Sequence, residues 1–181
     1  MERREALKLT AAILGTTLVG SAGFLSGCTP VRKEALSIPD QDIALLDEIG
    51  ETILPETAGA GGAKAARIGQ FMKVIVEDCY EEQDVRIFLS GIGQLKSRCE
   101  DGYGLPFEKL SEDKRLSLLG ALDQEAREWT GDRSHYFSMI KELTIWGYFT
   151  SQPGATEALR YNPIPGRYDG CIPYDGKSAW S

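Results

Sequence analysis

Residues 134–150 read SHYFSMIKELTIWGYFT, and this stretch decides the fold. Its large apolar residues recur at helical spacing and fall on nearly every side of a helix. They are Tyr136, Phe137, Ile140, Leu143, Trp146 and Phe149. Because a helix that is apolar all round is usually buried by its neighbours, the stretch predicts a central, surrounded helix from about Ser134 to Thr150.

Four amphipathic segments precede this helix and supply the neighbours that it needs. Each carries apolar residues three and four positions apart, which places them on one helical face. The first runs from the start signal Ser37-Ile38-Pro39-Asp40 through Ile43, Leu46, Ile49 and Ile53 to Pro55; the second carries Ile68, Phe71, Met72, Ile75 and Cys79; the third carries Val85, Phe88, Leu89, Ile92, Leu95 and Cys99; the fourth, capped by Ser111, carries Leu118, Leu119, Leu122 and Trp129. Since no window alternates apolar and polar residues, the sequence predicts an all-α fold, a single domain of about five main helices over residues 37–158.

Pro153-Gly154 ends the central helix, and a short helical turn and then an irregular tail are predicted to follow. Over residues 159–181, prolines favour extended backbone, while tyrosines and isoleucines make a surface that water solvates poorly. This tail, rich in Pro, Tyr and Gly, is therefore expected to pack on something. The sequence leaves open whether it packs on its own domain or on a partner subunit.

Composition excludes several classes of function. The 181 residues carry 20 Lys and Arg against 27 Asp and Glu, a net charge of -7, so no basic surface is available to neutralise nucleic-acid phosphates. The hydrophobic content of 42% is that of a folding chain. Because His135 is the single histidine, mechanisms that need two imidazoles are excluded.

The amino terminus is typical of an export signal. A basic start is followed by an uncharged apolar stretch over residues 9–31. Arg3 and Arg4, with Leu7 and Lys8 behind them, resemble the twin-arginine export pattern, although Ala6 stands where a bulky apolar residue is usual. The sequence therefore predicts twin-arginine export and a location outside the cytoplasm.

Residues 25–28, Leu-Ser-Gly-Cys, resemble a bacterial lipobox, in which the thiol of Cys28 receives a diacylglycerol. This predicts a cleaved signal over residues 1–27, a tether over 28–36, and a lipoprotein held at the periplasmic face of a bacterial membrane. The alternative is an uncleaved membrane anchor, since about 20 apolar residues span a bilayer. The glycines of the apolar stretch make such a span weakly hydrophobic.

The residues around His135 form no complete catalytic set. Ser134 is its neighbour in the chain, but no Gly-x-Ser-x-Gly elbow exists for a hydrolase. Asp132-x-x-His135 matches half of a di-iron site, whose second histidine this chain lacks. A helix-start cap at Asp132 or Ser134 is the better explanation.

Two acidic groups have similarly ordinary explanations. Glu125 and Glu128 lie three residues apart on a predicted helix, where carboxylates more often form a solvated face than an acid/base pair. A second cluster surrounds the junction of the second and third helices and lacks the spacing of a calcium loop, so it predicts a solvated turn. Its members are Glu77, Asp78, Glu81, Glu82 and Asp84.

Three cysteines remain once Cys28 is assigned to the lipid: Cys79, Cys99 and Cys171. An odd number permits at most one intrachain disulfide in an oxidising compartment. Cys79 and Cys99 are one candidate pair and are equally compatible with buried thiols. Cys171 is free to pair with either of them or with a partner.

The motifs, taken in order, resemble the gluconate 2-dehydrogenase subunit 3 family. The resemblance covers nearly the whole chain, and its specificity lies in the order of pieces that are not catalytic signatures. The pieces are Arg3-Arg4-x-x-Leu7-Lys8; Asp42-Ile43-x-x-Leu46-Asp47-x-Ile49 running to Ile53-Leu54-Pro55; Gly62-Ala63, Ala66, Ile68-Gly69 and Phe71; and, in the tail, Leu159-Arg160-Tyr161, Pro163-x-Pro165-Gly166 and Gly170-Cys171.

The resemblance implies a non-catalytic accessory subunit of a periplasmic, flavin-dependent sugar or polyol dehydrogenase. In such complexes a large subunit similar to glucose-methanol-choline oxidoreductases carries FAD, and a cytochrome c subunit with haem often takes the electrons. This chain is then expected to hold no cofactor, metal or catalytic residue, and to aid export, folding or membrane attachment of the flavin subunit. Its implied partner surface is an apolar helix face together with Tyr161, Pro163, Pro165, Gly166, Tyr168 and Cys171. The alternative is a free-standing envelope lipoprotein with a ligand-binding or structural role.

Overall fold

The structure, a computed structural model, describes residues 36–164, 166, 171 and 173–180. Its five α-helices are α1 (Asp40–Ile53), α2 (Ile68–Cys79), α3 (Glu82–Tyr103), α4 (Glu112–Glu128) and α5 (Tyr136–Thr150). A 3-10 turn (Phe107–Lys109) precedes α4, and a π-helical turn (Gly154–Ala158) follows α5. The described residues contain two isolated β-bridges and no strand, so the all-α prediction is confirmed.

Helix α5 lies at the centre of the helical domain and packs against each of the other four helices. Phe137, Ile140 and Leu143 are buried in the common core, as the sequence predicted for this helix. The expectation that α5 is surrounded on every side is wrong. Its side chains Ile145, Trp146 and Phe149 are exposed, because no helix of the described chain covers that side.

A contact between helices fixes the start of α1. The hydroxyl of Ser37 and the backbone N–H of Ile38 both donate to Glu77 Oε1 on α2, at 2.7 and 2.8 Å. The Glu77 carboxylate therefore holds the residues before α1 in place, a role that a local capping side chain usually has. Ser111 occupies the N-cap position of α4, as predicted, but its side chain makes no capping hydrogen bond.

The start of α5 differs from the prediction. The N-cap residue is His135, whose Nδ1 accepts a hydrogen bond from the N–H of Phe137 at 3.2 Å. The expected cap at Asp132 or Ser134 is wrong, because α5 begins two residues beyond Ser134 and the imidazole reaches the orphan amide instead.

Carboxylates hold the glycine-rich loop between α1 and α2. Glu157 Oε2 accepts the N–H of Gly61 at 2.9 Å, and Glu51 Oε2 accepts the N–H of Lys64 at the same distance. The hydroxyl of Tyr148 donates to the Gly61 carbonyl at 2.6 Å. These contacts fasten the loop to α1, to α5 and to the turn that follows α5.

Helices α3 and α5 approach closely at Gly91. A Cβ at this position would lie 2.1 Å from Cγ of Tyr136, so the aromatic ring rests directly on the backbone of α3. The Tyr136 hydroxyl is buried and has no hydrogen-bond partner. Desolvation by this burial raises the pKa of Tyr136 to about 12.

Candidate functional site

An apolar surface lies where α2 meets the carboxyl-terminal half of α5. We call it the Trp146 face and define it by Phe71 and Val74 on α2 with Ile145, Trp146 and Phe149 on α5. The rings of Phe71 and Trp146 meet edge to face with centroids 5.3 Å apart. Trp146 is 53% exposed, and two aliphatic residues are exposed as well: Val74, one helical turn after Phe71, and Ile145, next to Trp146 in the chain.

Polar residues border the Trp146 face. Gln70 and Asp78 on α2 and Glu142 on α5 are exposed one helical turn from its members. An apolar centre with a polar border is typical of a surface that binds another protein, because large contiguous apolar patches are rare on proteins that act alone. The sequence did not locate this face, because helical spacing assigned Phe71, Trp146 and Phe149 to the interior of the domain.

The tail residues predicted to contact a partner are exposed where the structure describes them. Tyr161, Pro163, Gly166 and Cys171 all fall in this group, and Pro165 and Tyr168 lie outside the described residues. The predicted export and lipid-attachment residues also lie outside the described residues; they are Arg3, Arg4, Leu7, Lys8 and Cys28.

Arg160 joins the beginning and the end of the tail. Its backbone N–H donates to the Ala179 carbonyl at 2.8 Å, and its guanidinium lies 4.2 Å from the centroid of the Trp180 ring. A third contact, between Arg160 Nη1 and Asp175 Oδ2, measures 2.9 Å. A backbone hydrogen bond, a cation–π contact and an ion pair therefore converge on one residue.

The buried side chain of His135 lies at the other end of α5. Its side chain faces Glu125 on α4, with Nε2 3.7 Å from Oε1. Glu125 also pairs with Arg98 on α3 at 2.7 Å, and the hydrogen bond from Arg98 lowers the pKa of the Glu125 carboxyl. The Glu125 carboxylate is thus held ionised by Arg98, while Glu128, three residues further along α4, accepts a hydrogen bond from Gln124.

A cavity of about 510 Å³ opens beside His135. One of its walls is a single face of α3, and the others come from the end of α4 and the loop before α5. The lining residues are Gln83, Arg86, Ile87, Ser90, Gln94, Glu125, Trp129, Asp132, Arg133, Ser134, His135 and Tyr136. No sequence motif indicated this cavity, since it exists only when α3, α4 and the 129–135 loop are packed together.

Two acidic residues at the junction of α2 and α3, Glu81 and Asp84, serve as ion-pair partners. Arg133 Nη1 lies 2.9 Å from Glu81 Oε2 and 2.8 Å from Asp84 Oδ2, which attaches the loop before α5 to the start of α3.

Within the described ranges, no group of three or more His, Cys, Asp or Glu side chains is placed to hold a metal ion. Nor, among the described helices, is any long and apolar enough to cross a membrane.

The three cysteines that the structure describes are free thiols. Cys99 is buried in the core, where desolvation raises the pKa of its thiol, whereas Cys79 and Cys171 are exposed. The candidate bridge between Cys79 and Cys99 is therefore not formed, because one thiol faces the core and the other faces solvent.

A model of the family described as gluconate 2-dehydrogenase subunit 3 matches residues 40–166. The chain belongs to the gluconate 2-dehydrogenase subunit 3 family. The match begins with α1, ends in the tail and includes the whole Trp146 face, and it confirms the resemblance found in the sequence. Membership in the subunit 3 family implies that the chain is a subunit of a gluconate 2-dehydrogenase-type complex. No curated protein and no solved structure matches this subunit 3 chain.

Proposed function

We propose that this chain is the non-catalytic small subunit of an FAD-dependent sugar or polyol dehydrogenase, bound to a flavin subunit of the glucose-methanol-choline type. The observation that carries the proposal is the Trp146 face in a member of the subunit 3 family. A tryptophan, two phenylalanines and two branched aliphatic residues form a surface that the described chain leaves open. Such aromatic residues commonly dominate the binding energy of a protein interface.

The exposed tail extends the proposed contact surface. Tyr161 and Pro163 lie just after the turn that packs on α5, so they are attached to the same part of the domain as the Trp146 face. Arg160 holds the two ends of the tail together, which limits the conformational freedom that the tail would lose on binding. Tyr168 and Cys171 belong to the same proposed surface.

The amino-terminal residues supply the proposed location. Twin-arginine export carries folded proteins, so a small subunit with the leader Arg3-Arg4 brings a bound flavin subunit with it. A diacylglycerol on Cys28 then holds the complex at the periplasmic face of the membrane. FAD belongs to the large subunit, and a cytochrome c subunit is the proposed electron acceptor.

The proposal is tested by isolating the complex and by altering one residue of the Trp146 face. The full-length chain carries an affinity tag after Ser181 and is purified from gently solubilised membranes of its host, and flavin absorbance is measured per mole of chain. Val74→Lys is expected to lower the recovered flavin at least tenfold, because a partner would have to desolvate the new ammonium group.

Leu116→Lys is the matched control. Leu116 on α4 is 50% exposed, against 47% for Val74, and lies outside the Trp146 face. This variant is expected to retain the flavin subunit in full. Recovery of the wild-type chain alone and colourless refutes the complex and favours a free-standing lipoprotein. Equal flavin recovery with Val74→Lys refutes the Trp146 face as the contact. If the complex stays intact when Tyr161→Ala and Tyr168→Ala are combined, the tail is refuted as part of the contact.

A further inference from the structure

The cavity beside His135 has features that the proposed function does not use. Its volume of about 510 Å³ falls within the range typical of small-molecule sites, about 300–1,000 Å³. Aromatic rings form part of its wall: the ring centroids of Trp129 and His135 are 5.4 Å apart, and those of His135 and Tyr136 are 4.5 Å apart. A flat apolar molecule therefore has rings to pack against.

The aromatic wall is already fixed in position. The indole N–H of Trp129 donates to the Arg133 carbonyl at 2.8 Å, which sets the orientation of the ring although half of it is exposed. His135 is fixed by the capping bond from Nδ1 to the Phe137 amide. A ligand would pay little to order these side chains, which favours binding.

His135 and Glu125 together offer a place for a ligand to hydrogen-bond in the cavity. Because Nδ1 of His135 accepts the Phe137 N–H, Nε2 is the ring nitrogen left to donate a hydrogen bond. Nε2 is 3.7 Å from Glu125 Oε1, which is longer than a hydrogen bond. A ligand hydroxyl placed between the two atoms accepts from Nε2 and donates to the carboxylate, at about 2.8 Å from each.

The charges around the cavity argue against an anionic ligand. Arg86 pairs with Glu82 at 2.7 Å, Arg133 with two acidic residues, and Glu125 with Arg98. An anionic ligand would be desolvated without gaining a free counter-ion among these groups. Asp132 contributes a single exposed carboxylate to the lining.

From this geometry we propose that the cavity binds a neutral aromatic compound bearing a hydroxyl group, with the ring against Trp129 and the hydroxyl bridging His135 and Glu125. This site is separate from the Trp146 face, so it does not depend on the proposed function.

Calorimetric titration of the full-length chain in detergent tests the proposal with three probes: 2-naphthol, its methyl ether 2-methoxynaphthalene, and the anion 2-naphthoate. One molecule of 2-naphthol is expected to bind per chain. The ether, which cannot donate to Glu125, is expected to bind at least tenfold more weakly, because it loses a hydrogen bond to a charged group. Naphthoate is expected to bind least, because it would face the ionised Glu125.

Ser90→Leu and Ser117→Leu distinguish this cavity from other apolar surfaces. Both serines are exposed on helices, but only Ser90 lines the cavity, so its leucine variant fills the space. We expect at least tenfold weaker binding of 2-naphthol to Ser90→Leu and unchanged binding to Ser117→Leu, with the helical circular dichroism of both preserved.

Several results would overturn the site. They are no binding of 2-naphthol up to about 1 mM, equal binding by Ser90→Leu, and binding of naphthoate as tight as that of naphthol. A concentration of 1 mM corresponds to an affinity too weak for a formed pocket of this size. Release of the flavin subunit by Ser90→Leu would instead assign the cavity to the interface between subunits.

Discussion

Tyr136→Phe should stabilise the protein, which is an unusual outcome for a change in a core. The Tyr136 side chain is 3% exposed, and its hydroxyl has no hydrogen-bond partner. Folding therefore removes the hydroxyl from water without replacing its hydrogen bonds, and a buried unsatisfied group of this kind costs about 1–3 kcal/mol. Phenylalanine keeps the ring packed on Gly91 and removes this cost, so we expect the free energy of unfolding to rise by about 1 kcal/mol at pH 8.

The pKa of Tyr136 makes the effect depend on pH in a defined direction. The pKa rises from 10.0 to about 12 on folding, because desolvation penalises the phenolate. Stability is therefore unaffected below pH 10 and is lost as the pH rises from 10 to 12, where the unfolded state releases its proton first. A pKa difference of about two units between the folded and unfolded states corresponds to a loss of roughly 2.7 kcal/mol in the free energy of unfolding, and about half of this loss is reached near pH 11. Tyr136→Phe lacks this component, so its advantage over the wild type should grow to about 2.4 kcal/mol near pH 11.

Urea unfolding followed by far-UV circular dichroism, at pH 8 and near pH 11, measures both effects. Tyr148→Phe is the matched control, because the Tyr148 hydroxyl donates to the Gly61 carbonyl at 2.6 Å. Removing this donor should destabilise the protein at pH 8 by about 1 kcal/mol. If Tyr136→Phe also destabilises by 1 kcal/mol or more at pH 8, or if its advantage does not grow with pH, the reasoning is refuted: the hydroxyl then has a hydrogen-bond partner.

Two further changes test the packing of α3. Gly91→Ala should destabilise the protein by about 1–3 kcal/mol in urea unfolding, because its Cβ would lie 2.1 Å from the Tyr136 ring. The control Gly93→Ala, whose Cβ would have nothing within 4 Å, should stabilise the protein by up to about 1 kcal/mol. Equal effects of the two substitutions would contradict the close approach at Gly91. Lys96→Met should lower the free energy of unfolding, measured in urea or by heating, by about 3 kcal/mol, because it removes the ion-pair partner of the buried Asp42 on α1. Adding Asp42→Asn should recover most of this loss. A double variant no more stable than Lys96→Met would show that the lost ion pair is not the cause.

The helices could be predicted from the sequence because their information is local. Apolar residues three and four positions apart must share a helical face, whatever the face packs against. The segment carrying Ile68, Met72 and Cys79 therefore forms α2, and the residues on its inner side are buried. Helix starts were less predictable, since Glu77 acts on the start of α1 from 39 residues away in sequence.

The functional surfaces could not be located in the same way. Trp146 and Phe149 have the same spacing from Leu143 and Ile140 as core residues do, so periodicity alone assigned them to the core. Whether a helix face is covered depends on how many neighbours the chain can supply, which is a property of the tertiary structure. The cavity could not be predicted for the same reason, because Ser90 and Trp129 line one space only once α3, α4 and the loop after α4 are packed together.

The distribution of apolar residues along α5 favours an assembled protein over a solitary one. The helix buries Phe137, Ile140 and Leu143 inside its own domain, which is enough to hold it against its neighbours. Ile145 and Trp146 contribute little to that core, since a solvated polar residue at either position would leave the internal packing nearly unchanged and would reduce the apolar surface in water. Trp146 instead holds its ring against Phe71 at the edge of an open surface. A second protein that covers this surface would give both rings the burial that the rest of α5 already has.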